Sequence, residues 1–383
     1  MGVEAAARAL AAARRPLIVA GGGVVASGAE AGVRSLAARL SAPAIPTQMA
    51  LGVIPTGSPH FIGHGGIIGG DAIPLAFAEA DVVVAIGCRF SSWMWDELGP
   101  LARRHHKLIN INIDPAALGA PAMHEIALQA DAGLAVADIL DQLETRSELS
   151  VDAHWLARLR SVRAAYEQRL RGMADSSSPV MHPAALAQRI AAILPEDAVA
   201  VYDGGHTTFW SNDLTPVRAT RTRFHDPGMS QLGFGLPYAL SLQLQHSGTP
   251  VFNITGDGSF GFSLQELDTA RRYRLPVINI IHNNAAWGII RAGQRKQLDF
   301  ELGTSLAGTD YAAVARGFGC HGETVGHPDE LALAVQRARA SGLPAVIDCL
   351  TEFVPHPCMA GFSRMNRYSF DALTQRSARS GAD

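Results

Sequence analysis

The sequence predicts an α/β protein built from two doubly wound parallel-sheet domains. Short apolar runs alternate with helical segments along most of the chain, which is typical of parallel sheets covered by helices. Several of these runs end in glycine-rich turns, and polar residues suited to ligand binding follow them. A chain of 383 residues, 48% hydrophobic and 17% charged, is long enough for two or three domains with sizeable cores.

The composition argues against several classes of partner. A net charge of −3 gives no electrostatic reason to expect nucleic acid or an anionic membrane as a partner. No apolar run approaches the length of a membrane span. The four cysteines lack metal-ligand spacing, so we expect reduced thiols in a cytoplasmic protein.

Residues 1–145 show the alternation expected of a Rossmann-like domain. The elements predicted there are a helix at 1–15, a strand at 16–20, a helix at 29–40, and strands at 44–45, 81–87 and 107–114. A glycine turn, residues 21–23, follows the first strand, and a glycine-rich loop covers residues 52–70. A lone glycine turn is weak evidence for a nucleotide. Arg89 is either a dinucleotide contact or an ordinary loop arginine.

A charged helical segment separates this domain from the next. Residues 144–171 are charged and helical, and the sequence MADSSSP at 173–179 predicts a loop. We therefore expect a linker at 146–180, a second domain at 181–358 and a polar tail at 359–383. The elements predicted in the second domain are helices at 183–194, 311–317 and 329–341 and strands at 198–202, 251–255, 277–282 and 345–350.

The stretch from residue 251 to 290 is the most informative part of the chain. A buried strand leads into a predicted tight turn at Gly256-Asp257-Gly258, and a helix should follow, with Ser263 and Glu266 forming a capping box. A second apolar run then ends at Asn283-Asn284. This order predicts a right-handed crossover, so the two strands end at the same edge of the sheet, where open α/β folds bind ligands.

Asp257 and Asn284 follow these two strands and are 27 residues apart. A carboxylate, an amide oxygen and a backbone carbonyl just beyond Asn284 would suit Mg²⁺, which prefers oxygen ligands. The glycines beside Asp257 allow backbone N–H groups to approach a diphosphate. Taken alone, either the Gly-Asp-Gly sequence or the Asn-Asn sequence is more simply read as a turn or a polar loop. Their spacing across one crossover favours a ligand site.

The motifs GDGSF and HNNAAWG resemble the diphosphate-binding motif of the thiamine-diphosphate-dependent acetolactate synthase-like family. The resemblance implies that Asp257, the Asn284 side chain and the Ala286 carbonyl hold Mg²⁺ against thiamine diphosphate. The first domain is similar to the family's central domain, with FIGHGG around His64 and IGCRF around Arg89. Some members hold FAD there, others an ADP-bearing ligand, and others nothing, so FAD is left open.

The resemblance also implies roles for two further segments. In DGGHTTFW, Gly205, His206 and Thr207 would reach the diphosphate and the substrate side of the cofactor, with His206 either a catalytic residue or an ordinary cap residue. Leu232, just before a Gly-x-Gly, would wedge between the two cofactor rings and serve catalysis by holding them bent. The full predicted cofactor-binding set is Gly205, His206, Thr207, Ser230, Leu232, Gly256, Asp257, Gly258, Ser259, Asn284, Ala286, Trp287, Gly288 and Ile289.

The family's activating glutamate has no counterpart in the sequence. In the family it lies in an N-terminal pyrimidine-binding domain, and His124-Glu125, the one tempting candidate, falls in the closing part of the first domain. The leading hypothesis is a split enzyme whose partner subunit supplies that domain, in a homo- or hetero-oligomer. The alternatives are a non-catalytic relic with a regulatory or binding role, and a segment of a longer enzyme.

The resemblance implies a decarboxylase or carboligase acting on a small 2-oxo acid or related carbonyl compound, forming an acyloin or acetolactate. Gly293 stands where acetolactate synthases carry a tryptophan. Loss of that wall suggests a roomier pocket, which puts acetolactate itself in doubt. Trp287 is expected either to line the site or to pack beneath the loop.

Overall fold

A computed structural model describes residues 2–66, 69–90, 94, 107–118, 126–146, 149–175, 178–298 and 300–358. It contains two all-parallel sheets with helices on both faces, which confirms the predicted fold class. His124-Glu125 and the tail at 359–383 lie outside the described residues. None of the described helices is both long and apolar enough to cross a membrane.

The first sheet has five parallel strands in the order β2-β1-β3-β4-β5. These are β1 (Pro16–Ala20), β2 (Ala44–Pro46), β3 (Val82–Ile86), β4 (Lys107–Asn112) and β5 (Ile126–Gln129). Its helices are α1 (Gly2–Ala12), α2 (Gly22–Ala26), α3 (Glu30–Arg39), α4 (Ala72–Glu79), α5 (Pro115–Leu118) and α6 (Ala132–Glu144). Strands β1 and β3 are buried along their whole length, as expected of a sheet covered on both faces.

Alternate residues of β1 serve the two faces of the sheet. Ile18 and Ala20 pack in one core cluster with side chains of α1, α3 and α6. Leu17 and Val19 pack in the other cluster with Phe77 of α4. This period-two alternation is what allows a short apolar strand to support two layers of helices.

The second sheet has six parallel strands in the order β10-β11-β9-β8-β6-β7. These are β6 (Val199–Tyr202), β7 (Arg223–Phe224), β8 (Val251–Gly256), β9 (Ile278–Asn283), β10 (His321–Val325) and β11 (Ala345–Leu350). Its helices are α8 (Pro183–Ile193), α9 (Gly205–Leu214), α10 (Gly235–Gln245), α11 (Asp257–Gly261), α12 (Glu266–Arg272), α13 (Gly288–Leu298), α14 (Tyr311–Gly317) and α15 (Leu331–Ser341).

The segment expected to be a linker contains an 18-residue helix, α7 (Trp155–Gly172). Trp155 is buried in the first core and donates its indole N–H to the carbonyl of Pro16 at 3.0 Å. Further along the helix, Tyr166 packs with Trp210 of the second domain and donates to Asp213 at 2.5 Å. The helix therefore packs against both domains.

Two local predictions about the 251–290 stretch are wrong. Strand β8 passes directly into α11 at Asp257, where a tight turn was expected. The Ser263–Glu266 capping box does not form, because α12 begins at Glu266 and the buried Ser263 hydroxyl has no partner among the described residues. The reason is that the helical region is divided into α11 and α12, so Ser263 lies in the turn between them.

The packing of α7 can be tested with Trp155→Ala. Because the indole is buried and hydrogen-bonded, we expect a loss of about 3–5 kcal/mol of unfolding free energy. Urea unfolding followed by circular dichroism would measure it. Tyr273→Ala is the control, since that ring is 62% exposed and its loss should change stability by at most about 0.5 kcal/mol. Equal midpoints for the two variants would mean that this segment is only a tether.

Candidate active site

A cavity of about 250 Å³ opens at the carboxyl ends of β6, β8 and β9. Every residue of the predicted cofactor-binding set lines it, from Gly205 to Ile289. Asp257 and Asn284, which follow different strands, face this one cavity. The strand register explains why: β8 and β9 are neighbours, and Gly256 pairs with His282 at their ends. The parallel crossover thus brings the two side chains to one edge.

The Asp257 carboxyl group is buried and held by backbone N–H groups. It accepts from the N–H of Gly258 at 2.9 Å and from the N–H of Ala286 at 3.2 Å. Burial raises the pKa of Asp257 to about 6, although these N–H groups favour its charged form. A nearby cation would favour that form further.

The two asparagines after β9 have different environments. Asn283 is satisfied, because its amide donates to Thr309 and Asp348 and its oxygen accepts from Ala285. By contrast, the buried Oδ1 of Asn284 has no hydrogen-bond partner among the described residues. A buried polar atom without a partner is costly, and a cation would supply the missing interaction.

The backbone beyond Asn284 is also unusual. Ala285 has φ +49°, a conformation that costs a residue with a side chain roughly 1 kcal/mol or more. The carbonyl of Ala285 and the N–H of Trp287 are bonded to the segment around Thr304, and these bonds leave the Ala286 carbonyl out. Asn284 and Ala286, on either side of this strained residue, both line the cavity. The described residues contain no cluster of three or more His, Cys, Asp or Glu side chains.

The buried carboxylate of Asp348, on β11, is connected by hydrogen bonds to the neighbourhoods of both Asn284 and Asp257. Asp348 accepts from the Asn283 amide at 3.0 Å and from the N–H of Tyr311 at 3.0 Å. The Tyr311 hydroxyl in turn donates to the carbonyl of Asp257 at 2.8 Å. Asp348 and Tyr311 were absent from the predicted set, since nothing local in the sequence connects them with the site.

Two helices begin at the cavity. Helix α9 starts at Gly205 after Gly204, which has φ +91°, and α13 starts at Gly288. A side chain at Gly205 or Gly288 would force a neighbour to move, because an added Cβ atom would fall 1.9 Å from the Ile289 side chain in the first case and 2.9 Å from the His206 ring in the second. The free N–H groups of two helix N-termini make the site suited to an anion.

Asp203, which sequence reasoning missed, organises the Gly-rich segment that carries Leu232. Its buried carboxylate accepts from the N–H groups of Gly233 and Gly235 and from the Ser259 hydroxyl at 2.6 Å. Burial raises the pKa of Asp203, although these bonds oppose the shift. In the sequence, its position between a predicted strand and two glycines could have identified it as a site residue. Half-buried Leu232 thereby lines the cavity from a fixed loop.

His206 lies on the wall of the cavity with its ring almost wholly buried. Burial lowers the pKa of His206 to about 4, so the ring is neutral at physiological pH. Its Nε2 accepts the backbone N–H of His356 at 2.9 Å, which places the proton of the neutral ring on Nδ1. His282, at the end of β9, also lines the cavity and was not predicted; its buried Nε2 has no partner in the described part of the chain.

Trp287 both lines the cavity and packs beneath the loop. A Cβ atom at Gly258 would fall 2.4 Å from its ring, so a glycine is required for this close approach. Gly293 faces open space, with nothing within 4 Å of an added Cβ. Gly293 is not among the residues that line the cavity, so the expectation of a roomier pocket stays a prediction.

The first domain contains a separate cavity of about 360 Å³ at the predicted glycine turn. Arg89 lines it, together with Gly21, Gly87 and Asn112. Gly21 and Gly87 approach so closely that a Cβ at Gly21 would fall 2.2 Å from the Gly87 carbonyl oxygen. Whether this cavity takes FAD, another nucleotide or nothing stays a prediction.

Family models match both halves of the chain. The thiamine pyrophosphate enzyme central domain matches residues 3–143, and the C-terminal TPP binding domain of the same enzymes matches residues 203–349. The fold and the site thus define the central and cofactor-binding domains of a thiamine pyrophosphate enzyme. The chain belongs to the thiamine-diphosphate-dependent acetolactate synthase-like family.

Individual relatives are similar over most of this chain. A probable acetolactate synthase large subunit of Methanocaldococcus jannaschii is 29% identical over 363 residues, which cover 91% of this chain and 60% of that protein. The acetolactate synthase isozyme 1 large subunit of Escherichia coli is 31% identical over 324 residues, covering 83% and 55%. A putative thiamine pyrophosphate-containing protein of Bacillus subtilis is 27% identical over 341 residues, covering 88% and 57%. The chain spans about 60% of the length of the acetolactate synthases that it matches.

The contact between Gly258 and Trp287 gives a test of this geometry. Gly258→Ala should displace the indole, shift the tryptophan emission and lower the melting temperature, because the methyl group cannot fit beside the ring. Gly261→Ala is a control in the same helix, since its Cβ would have only an ordinary contact at 3.6 Å with Tyr311. Matching spectra and melting temperatures for the two variants would show that the ring does not lie against Gly258.

Proposed function

We propose that this chain binds thiamine diphosphate together with Mg²⁺ in the cavity at the ends of β8 and β9. The observation that carries the proposal is the buried Oδ1 of Asn284, which lacks a partner among the described residues and lines the same cavity as the Asp257 carboxylate. Asp257, the Asn284 amide and the Ala286 carbonyl would supply protein oxygens, with phosphate and water oxygens completing the octahedron that Mg²⁺ requires.

The N-termini of α9 and α13 would bind the diphosphate. Gly205, Thr207, Gly288 and Ile289 lie in their first turns and line the cavity. Ser230 and Leu232 lie on a different wall, on the loop held by Asp203, where Leu232 would support the cofactor rings. When bound, thiamine diphosphate supplies a carbanion-stabilising ring for the decarboxylation of 2-oxo acids.

His206 would act here as a neutral hydrogen-bond donor through Nδ1. Its Nε2 already accepts the N–H of His356, and burial opposes a charged ring. This arrangement supports orientation of a bound oxygen, and it disfavours a role in which Nε2 takes up a proton.

We infer that the whole protein is a 2-oxo acid decarboxylase or carboligase of the acyloin- or acetolactate-forming type. Membership of the acetolactate synthase-like family supports this reaction class. Gly293, which stands where acetolactate synthases carry a tryptophan, is the reason to propose a roomier pocket. The same proposal includes Mg²⁺ as the metal ion and a hetero-oligomer in the cytoplasm as the assembled form of the protein.

We further propose that a separate subunit supplies the activating glutamate on a pyrimidine-binding domain. Among the described residues that line the cavity, the acidic side chains are Asp203, Asp226 and Asp257, and there is no glutamate. Asp203 and Asp257 are committed to backbone N–H groups. Asp226 accepts from the N–H groups of Gly228 and Met229. All three carboxylates thus already hold backbone N–H groups, which disfavours any of them as a replacement for that glutamate.

The metal assignment can be tested by calorimetric titration of Mg²⁺ in the presence of thiamine diphosphate. Asp257→Ala should weaken Mg²⁺ binding by more than about 100-fold, because even residues that only orient metal ligands contribute roughly 10- to 100-fold. Asp226→Asn is a matched control: this residue also lines the cavity, but its carboxylate holds a loop through Gly228. Wild-type affinity in Asp257→Ala would remove the assignment.

The partner requirement gives a second test. The purified chain, saturated with thiamine diphosphate and Mg²⁺, should release no CO₂ from a short 2-oxo acid, because no glutamate lines the cavity among the described residues. Addition of a separately expressed pyrimidine-binding domain with its glutamate should restore turnover, and a Glu→Gln form of that domain should not. Sustained CO₂ release by the single chain would contradict the split-enzyme proposal.

A further inference from the structure

A second, smaller cavity of about 40 Å³ lies beside β6 and the edge strand β7. The end of α8 and the segment after α9 close it. Its walls include Tyr202, Thr215 and Arg223, and the exposed side chains of Glu196 and Arg218 also border it. Nothing in the proposed cofactor chemistry uses this cavity.

Arg223 is the unusual residue of this cavity, because its side chain is charged and only 7% of the residue is exposed. Its Nη1 donates to the carbonyls of Ser211 and Thr215, each at 3.2 Å, and so closes the end of α9. Its Nε and Nη2 are buried and have no hydrogen-bond partner among the described residues. Within the part of the chain that the structure describes, no carboxylate forms an ion pair with Arg223.

The charged groups around Arg223 do not neutralise the positive charge of its guanidinium. Asp213 acts on it only from beyond ion-pair distance. That carboxyl accepts instead from the Tyr166 hydroxyl, and burial raises its pKa to about 7. Burial also lowers the pKa of Arg223, although arginine keeps its proton in proteins. A buried charge of this kind is normally paired, because removing it from water is costly.

The two unpartnered nitrogens point to a particular ligand shape. The N–H groups on Nε and Nη2 of a guanidinium lie side by side and match two oxygens of a carboxylate. The Tyr202 ring lies 4.0 Å from the guanidinium carbon. The buried hydroxyls of Tyr202 and Thr215 lie close enough to interact with each other, but neither has a partner of good hydrogen-bond geometry among the described residues. The volume allows about three water-sized groups, which is the size of a small oxyanion.

We propose that Arg223, with the hydroxyls of Tyr202 and Thr215, binds a small planar oxyanion of three or four heavy atoms, either a carboxylate of formate size or bicarbonate. The simpler alternative is that Arg223 only caps α9 and that water fills the cavity. Water would satisfy the N–H groups but would leave the buried charge unpaired, whereas an oxyanion does both.

The location gives this ion a route to influence the candidate active site. Helix α9, whose last carbonyls are held by Arg223, begins at Gly205 on the wall of the larger cavity. Beyond β7 the chain continues directly to His225 and Asp226, which line that cavity too. The inference itself does not depend on the proposed cofactor.

The test is a titration of the full chain with ¹³C-formate and, separately, with ¹³C-bicarbonate. Sodium gluconate, which is too large for the cavity, keeps the ionic strength constant, and ¹³C line broadening and the melting temperature report binding. We expect saturable binding with a rise in melting temperature. The ion that binds more tightly identifies which of the two the site prefers. No saturable binding of either ion up to about 0.1 M would overturn the proposal.

Variants locate the bound ion. Arg223→Met and Arg223→Lys should each weaken binding by about tenfold or more, since lysine keeps the charge but lacks the two parallel N–H groups. Arg163→Met is the control, because that arginine also lies over an aromatic ring but is already paired with Glu167. If the Arg223 variants fail to fold, Tyr202→Phe decides: a severalfold loss supports the site, and unchanged affinity overturns it.

Discussion

The whole site depends on the parallel pairing of β8 and β9, which end together at one edge of the sheet. That pairing fixes where Asp257 and Asn284 leave the sheet, and the Asp348 carboxylate then holds both neighbourhoods through Asn283 and Tyr311. A shift of one residue in the register would turn every side chain of β9 to the opposite face. The cavity would then lose one of its two candidate metal ligands.

Forming this edge of the sheet costs folding free energy when no ligand is bound. It contains buried carboxyl groups with raised pKa values, a left-handed Ala285 and an amide oxygen without a partner in the described part of the chain. Such costs persist only where the surrounding structure enforces them, and they concentrate at functional sites. A bound cation and diphosphate would relieve several of them at once, which is why a ligand site explains this edge better than a polar loop does.

The sequence predicted the fold class and the proximity of Asp257 to Asn284 because both depend on local patterns, whereas the other predicted cavity residues came from the resemblance to the family. Buried strands are short apolar runs, and the lengths of the crossover elements place Asp257 near Asn284. Contacts between distant segments were not predictable in this way: His356 lies 150 residues from the His206 ring it contacts, and Tyr311 is 54 residues from Asp257. The expected capping box failed because the pattern of Ser263 and Glu266 does not reveal that the helix is divided there.

The central claim is that Asp257 and Asn284 hold a cation against the diphosphate. Mn²⁺, which favours the same oxygen ligands as Mg²⁺, makes this directly measurable by electron paramagnetic resonance with ³¹P double resonance. With thiamine diphosphate present, we expect ³¹P coupling to protein-bound Mn²⁺ in the wild-type chain and its loss in both Asp257→Ala and Asn284→Ala. A spectrum that is the same in the wild-type chain and both variants would contradict it.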